Sequence, residues 1–271
     1  MRKIDIHRKD LKRLLTEFLE TKDEKSLIRY FTKNSNLPGR RGNLEMASAF
    51  DKIIEEDFTN HLDDVWNLSV KLTQLSSQEA PTNDPKEMIP FCGARALGSI
   101  GAISEDYFKT SVIILRELAN DSRWRMREAV AAALGRILLQ KGQLLFHELE
   151  QWIIKNNWLE MRAVATGIAH PSALTKEFHP HLALDLHKTI FQRICATKER
   201  DSEHFKVLRK GLSYSLSVVV QAIPEEGFGY IRYLIGINDP DIKFIVRENL
   251  KKNRLKKNFP KEVTTLNKLL K

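Results

Sequence analysis

Four histidines, His170, His179, His181 and His187, lie in the stretch HPSALTKEFHPHLALDLH, and imidazoles gathered this closely raise metal binding first. A zinc site needs three or four ligands converging at about 2 Å, usually from a repeated spacing such as His-x3-His on one helix face. Here the spacings are nine, two and six, with Pro171 and Pro180 interrupting the chain, so turn and helix-end histidines fit better. Anion binding is the second possibility. In NSNLPGRRGNLEMASAF, residues 34–50, Arg40 and Arg41 stand just ahead of a helix start, where free N–H groups and the helix dipole favour negative charge. The same residues also read as a hard turn with exposed arginines, because Pro38-Gly39 breaks any helix and Asn43 supplies a cap. A third cluster, Lys251, Lys252, Arg254, Lys256 and Lys257, crowds two helical turns in KFIVRENLKKNRLKKNFPKEV. It reads either as a solvated end cap or as a contact for nucleic-acid phosphates.

Enzyme chemistry finds little support. The chain has no Gly-x-Ser-x-Gly elbow, Walker phosphate loop, His-Glu-x-x-His or strand-borne dinucleotide fingerprint. The acidic pairs Glu55-Glu56 and Asp63-Asp64 are adjacent in sequence, so on a helix they point in different directions. Cys92 and Cys195 lie far apart among apolar residues, which suits reduced, buried thiols with no disulfide. No catalytic residue, metal or cofactor is expected.

The elements that carry these residues follow from composition and periodicity. The chain has 271 residues, 42% apolar and 29% charged, enough to bury a core. No apolar run is long enough to span a bilayer, and the charged N-terminus lacks the apolar stretch of a secretion signal, so a cytoplasmic location is expected. Net charge is +9, but residues 242–271 hold ten basic against two acidic side chains and so carry +8 of it. The body is nearly neutral and its C-terminal end is basic.

Helical stripes recur nearly everywhere, as in Leu11, Leu14, Leu15 and Phe18 of the first helix. SYSLSVVVQAI has a β-branched run, yet its length and the lack of a partner strand favour helix. The glycines of GARALGSIGA, at 93, 98 and 101, sit inside a helical stripe and permit close helix crossing. Short breakers then divide the chain into about fourteen helices. The longest break, Ser76 to Glu87, is the best place for a subdomain boundary or a mobile loop, although it is too short for two independent domains.

A repeat decides the expected architecture. DSRWRMREAVAAALGRIL places Asp121 six residues before Arg127, and DPDIKFIVRENL places Asp241 six before Arg247. Looser copies set Asn156 before Arg162 and Glu203 before Arg209, and Arg95 marks a degenerate one. The arginines step by 32, 35, 47 and 38 residues, close to a two-helix repeat.

These segments resemble the second helices of HEAT repeats, over roughly Pro90 to Asn258, and NSNLPGRRGNLE is similar to segments near the start of bacterial HEAT-like proteins. The resemblance implies an all-α fold: a right-handed α-α superhelix (ARM/HEAT-like solenoid) of about seven antiparallel helix pairs. The chain is then one elongated helical-repeat domain, 1–271, with an N-terminal subdomain at 1–76, repeats at 86–258 and a basic cap at 242–271. It also implies a ladder in which Asp121 with Arg127, and Asp241 with Arg247, link neighbouring repeats, with Arg162 and Arg209 in matching places. Trp124, Trp158, Phe205 and Phe244 precede the repeat arginines and read as interhelical core, or as a stacking platform where Trp124 or Trp158 is exposed.

Three functional classes are therefore expected. The leading one is a nonenzymatic scaffold that holds a protein partner on its concave face. The others are a nucleic-acid-binding solenoid working through its basic C-terminal end, and, by fold analogy, a DNA alkylation-repair glycosylase. No membrane association is expected.

Overall fold

The computed structural model describes residues 2–155 and 157–270. Among them are fourteen α-helices and no strand, and 79% of the chain is helical. SYSLSVVVQAI is helical, and no described helix is long and apolar enough to cross a membrane. The chain divides into two compact units, Met1–Gln140 and Lys141–Lys271. The division falls at Lys141, where non-helical angles (φ −123°, ψ 39°) kink a long helix, and not at Ser76 to Glu87.

The first unit contains α1 (Lys3–Thr21), α2 (Lys25–Lys33), α3 (Leu44–Asp57), α4 (Leu62–Thr73), α5 (Met88–Ile103), α6 (Glu105–Leu118) and the first part of α7 (Trp124–Ile154). Every residue of α5 except Ile103 is buried, as a helix that is apolar all round requires. It packs against α3, α4 and α6. Its glycines make the close approaches possible. A Cβ on Gly93 would meet Leu72 Cβ at 2.9 Å, one on Gly101 would meet Ser111 Cβ at 2.7 Å, and one on Gly98 would lie 2.5 Å from Ala133 Cα of α7.

The polar break after α4 is tied down rather than loose. Asp84 caps a short 3-10 turn at Pro85–Glu87. The buried guanidinium of Arg123 donates to the carbonyls of Leu75 (3.0 Å), Ser76 (3.3 Å) and Ala80 (3.1 Å).

The second unit contains the rest of α7, then α8 (Trp158–Gly167), α9 (His179–Ala196), α10 (Glu203–Ala222), α11 (Pro224–Gly236), α12 (Pro240–Leu250), α13 (Asn253–Asn258) and α14 (Pro260–Leu269). Here α10 is the central element, packed between α8 and α12 and touching α9 and α11. Gly211 of α10 admits α8 closely, since an added Cβ would lie 3.1 Å from Thr166 and 3.2 Å from Arg162. Both cysteines are free thiols: Cys92 is buried, but Cys195 is exposed, contrary to the expectation for both. Burial in α5 pushes the Cys92 thiol well above its ordinary range.

Candidate functional site

Two places gather the residue types that could bind, one in each unit. In the first unit the organising residue is Arg125, in the first turn of α7 and buried. Its Nη1 donates to Glu87 Oε2 at 2.9 Å, and its Nη2 donates to the Gly39 carbonyl at 2.8 Å and to Asn83 Oδ1 at 3.3 Å. Asn83 Oδ1 also accepts from Gly39 N at 2.9 Å, so loop 35–43 and the break 76–87 are held together by shared partners. The Arg125 guanidinium lies 4.3 Å from the ring centroid of Trp124, which is 45% exposed. Arg40 and Arg41 are both exposed on the loop so fixed.

The far end of that loop is set by Asn43. Its Oδ1 caps α3 by accepting from Met46 N at 2.9 Å, while its Nδ2 donates to Asn34 O at 2.8 Å and reaches His7 Nε2 at 3.2 Å. A donor at Nε2 makes His7 carry its proton on Nδ1, which then faces Tyr30 Oη at 2.8 Å, and Tyr30 donates onward to Asp10 at 3.2 Å. Burial holds the His7 pKa below its ordinary value despite Glu45 and Asp10 nearby.

A second polar group in this unit joins α3, α5 and α7. Arg95 pairs with buried Asp51 through Nε at 2.9 Å and through Nη2, and Arg136 clamps Glu55 at 2.7 and 3.0 Å while its Nε also reaches Ser99 Oγ at 3.0 Å. Burial opposes the Arg95 charge, but Asp51 outweighs it and keeps the pKa above the ordinary arginine value. These side chains hold α3, α5 and α7 together.

In the second unit a groove of about 500 Å³ runs between α10 and α12. Lys206, Arg209, Lys210 and Tyr214 line one side, and Phe244, Glu248 and Lys252 the other. Arg209 donates to Asp241 at 2.6 Å and lies 4.8 Å over the ring of Phe244, which is 39% exposed. Glu248 is held below its ordinary pKa, first by the hydrogen bond from Lys251. Beyond the groove the basic run is broken. Lys251 and Lys252 close α12, Arg254, Lys256 and Lys257 belong to six-residue α13, and buried Leu255 anchors that helix. Lys251, Lys256 and Lys257 are exposed, while Lys252 and Arg254 are half-buried.

The repeat residues are placed differently from the expected ladder. The Asp121 carboxylate is held by Arg123, through Nε at 3.0 Å and Nη2 at 2.6 Å, whereas Arg127 donates to the carbonyl oxygens of Asp121 and Ser122. Asp241 pairs with Arg209, 32 residues back, and lies 3.5 Å from Arg200. Arg247 is exposed on α12. The cap of α12 is Asp239, which accepts from Asp241 N and Ile242 N and has its pKa lowered by Arg200 against the opposing effect of burial. Asn156 lies outside the described residues. Asn157 caps α8, and Arg162 is buried. Trp158 is half-buried and edge-on to Phe205, with ring centroids 5.3 Å apart.

The histidines separate. His179 Nδ1 meets Ala173 O, His187 is buried between Ala183 O and Ser215 Oγ, and His181 lies on the surface beside Glu226. Among the described residues no group of three or more His, Cys, Asp or Glu is placed to hold a metal ion. Arg123 and Arg125 escaped sequence reasoning, although SRWRMRE carried a signal. Arginines at alternate positions of a helix start cannot all face solvent.

Neither family models nor curated proteins give a match to the chain. Among solved structures it is similar to two engineered proteins from a structural genomics consortium. One is 16% identical with a TM-score of 0.38, the match covering 95% of this chain and 97% of that one. The other is 14% identical with a TM-score of 0.38, covering 89% and 97%. Likenesses this weak carry no argument about ligand or activity.

Proposed function

We propose that this chain is a nonenzymatic, HEAT-like helical-repeat scaffold that binds a protein partner through an acidic segment laid in the α10–α12 groove. The observation that carries the reading is the charge and shape of that groove. Lys210 and Lys252 have no ion pair among the described residues, and exposed Phe244 offers apolar surface beside them. Arg209 is already neutralised by Asp241 and covers the Phe244 ring. The groove therefore presents lysine point charges and an apolar edge more than a free stacking platform, which suits carboxylates on a peptide. The HEAT-like assignment is supported by the α8, α10, α12 packing and by the bond from Arg209 of one helix to Asp241 of the next.

A glycosylase would need a reachable carboxylate near an exposed tryptophan. Glu87, linked to Trp124 through Arg125, is fully buried, so the geometry lends that reading no support. Binding of a fluorescent glutamate-rich peptide, read by anisotropy, tests the scaffold proposal. Lys210→Glu with Lys252→Glu should weaken it at least tenfold with unchanged helix content, and equal affinity would refute the groove. The exposed cations of α13 favour a second reading, contact with nucleic-acid phosphates. Replacing Lys251, Lys252, Arg254, Lys256 and Lys257 by Gln should then weaken duplex binding and flatten its salt dependence. A parent protein that binds no duplex at low salt removes it.

A further inference from the structure

We propose that Trp124 and the Arg40-Arg41 loop tip together form a binding site for a nucleoside phosphate, the base stacking on the indole and the phosphate held by the two arginines. Trp124 differs from the other tryptophans in its surroundings. Trp66 and Trp152 are buried and Trp158 is half-buried, while Trp124 is 45% exposed at the first position of α7. Its ring packs on the guanidinium of Arg125, a side chain locked on both hydrogen-bonding ends. An exposed indole supported in this way loses less freedom when a planar ring stacks on it.

The arginines are fixed by the same residue. Gly39, immediately before them, accepts from Arg125 at 2.8 Å, and Gly42, immediately after, lies so close that an added Cβ would sit 3.9 Å from Arg125 Nε. The tip between these two glycines is thereby held beside the guanidinium that lies over Trp124. Of the other exposed arginines of this unit, Arg2 pairs with Asp5 and Arg13 with Glu17, while Arg29 of α2 also has no ion pair among the described residues. Arg40 and Arg41 have no such partner among the described residues. Arg125 itself is spent on structure, its charge paired with buried Glu87. Two adjacent arginines without an ion pair offer forked donors suited to phosphate, and the exposed indole, joined to their loop through Arg125, selects a phosphate that carries a base.

A free nucleotide and the end of a nucleic-acid strand share this chemistry, so the test uses both. The full chain is titrated with AMP, with a thymidine dodecamer and with inorganic phosphate, reading tryptophan fluorescence and binding heat. AMP or the dodecamer should quench, and which of them does identifies the source. Arg40→Gln with Arg41→Gln should weaken binding at least tenfold, Trp124→Leu should do the same by heat, and Trp124→Phe should restore most of the affinity. Circular dichroism should stay unchanged in all of them, since these side chains are exposed. Absence of both quenching and heat with AMP and the dodecamer overturns the proposal, as does equal affinity of Trp124→Leu and the parent. Lys210→Glu with Lys252→Glu should leave the binding of AMP unaltered, which separates this site from the α10–α12 groove.

Discussion

Asn249 of α12 is bonded to the backbone of α10 at Ser217, whose N–H donates to Asn249 Oδ1 at 2.8 Å. The same side chain donates from Nδ2 to Leu212 O at 2.8 Å and to Ile245 O at 2.8 Å, all in a fully buried place. One amide thus joins two helices by their main chains. Asn249→Leu keeps the branched outline but removes all three bonds in a buried place, and should lower stability by about 1–3 kcal/mol. A denaturant midpoint equal to the parent's would show that α10 and α12 do not depend on this bond.

Gly98 should be intolerant of a change that ordinarily stabilises a helix. Glycine in a helix interior is about 1 kcal/mol worse than alanine. Here, however, the added Cβ would lie 2.5 Å from both Cα and Cβ of Ala133, so α5 and α7 must separate. Overpacking of this kind costs about 1–3 kcal/mol. Gly98→Ala should therefore unfold at lower denaturant, while Gly229→Ala, with nothing within 4 Å, should match or exceed the parent.

His187 makes stability depend on acid. It is buried in α9, donates from Nδ1 to Ala183 O at 2.8 Å and accepts at Nε2 from Ser215 Oγ of α10 at 2.9 Å. Burial pushes its pKa down to about 4, with the Ala183 bond opposing. A histidine with a depressed folded pKa costs nothing above its unfolded value of about 6.5 and destabilises progressively as pH falls from there towards 4. Between pH 7.5 and 5 the loss from this residue is about 2 kcal/mol. His187→Gln should lack that component, so chemical denaturation at the two pH values should show its deficit against the parent shrinking at pH 5.

What the sequence made legible was mostly local. The stripes, the breakers, the cap at Asn43 and the crossing glycines of α5 each rest on residues within a turn or two, and helical periodicity exposes them. Partners distant in sequence were hidden. The six-residue offset from Asp121 to Arg127 suggested a pair, yet Arg123 stands two residues from Asp121 and can turn back to it while bonding three carbonyls of the break. Asp241 is held from 32 residues away by Arg209. Nothing in LLQKGQLLF punctuates the helix at Lys141, because neither lysine nor glycine there is a decisive breaker. Cys195 looked buried because its neighbours are apolar, but its own position on α9 faces outward.

The bond between Arg209 and Asp241 yields a contrast between two arginines that the repeat pattern treats alike. Asp241 accepts from Arg209 at 2.6 Å and has Arg200 at 3.5 Å, with its own side chain mostly shielded. Arg247, six residues further on, is exposed. Asp241→Ala should therefore cost about 1–2 kcal/mol, by losing a charge-assisted bond between α10 and α12. Arg247→Ala should stay within about 0.5 kcal/mol of the parent. In a double-mutant cycle, Asp241→Ala with Arg209→Ala should reveal coupling, and Asp241→Ala with Arg247→Ala should be additive. Coupling to Arg247 and none to Arg209 would restore the within-repeat ladder that the sequence alone suggested.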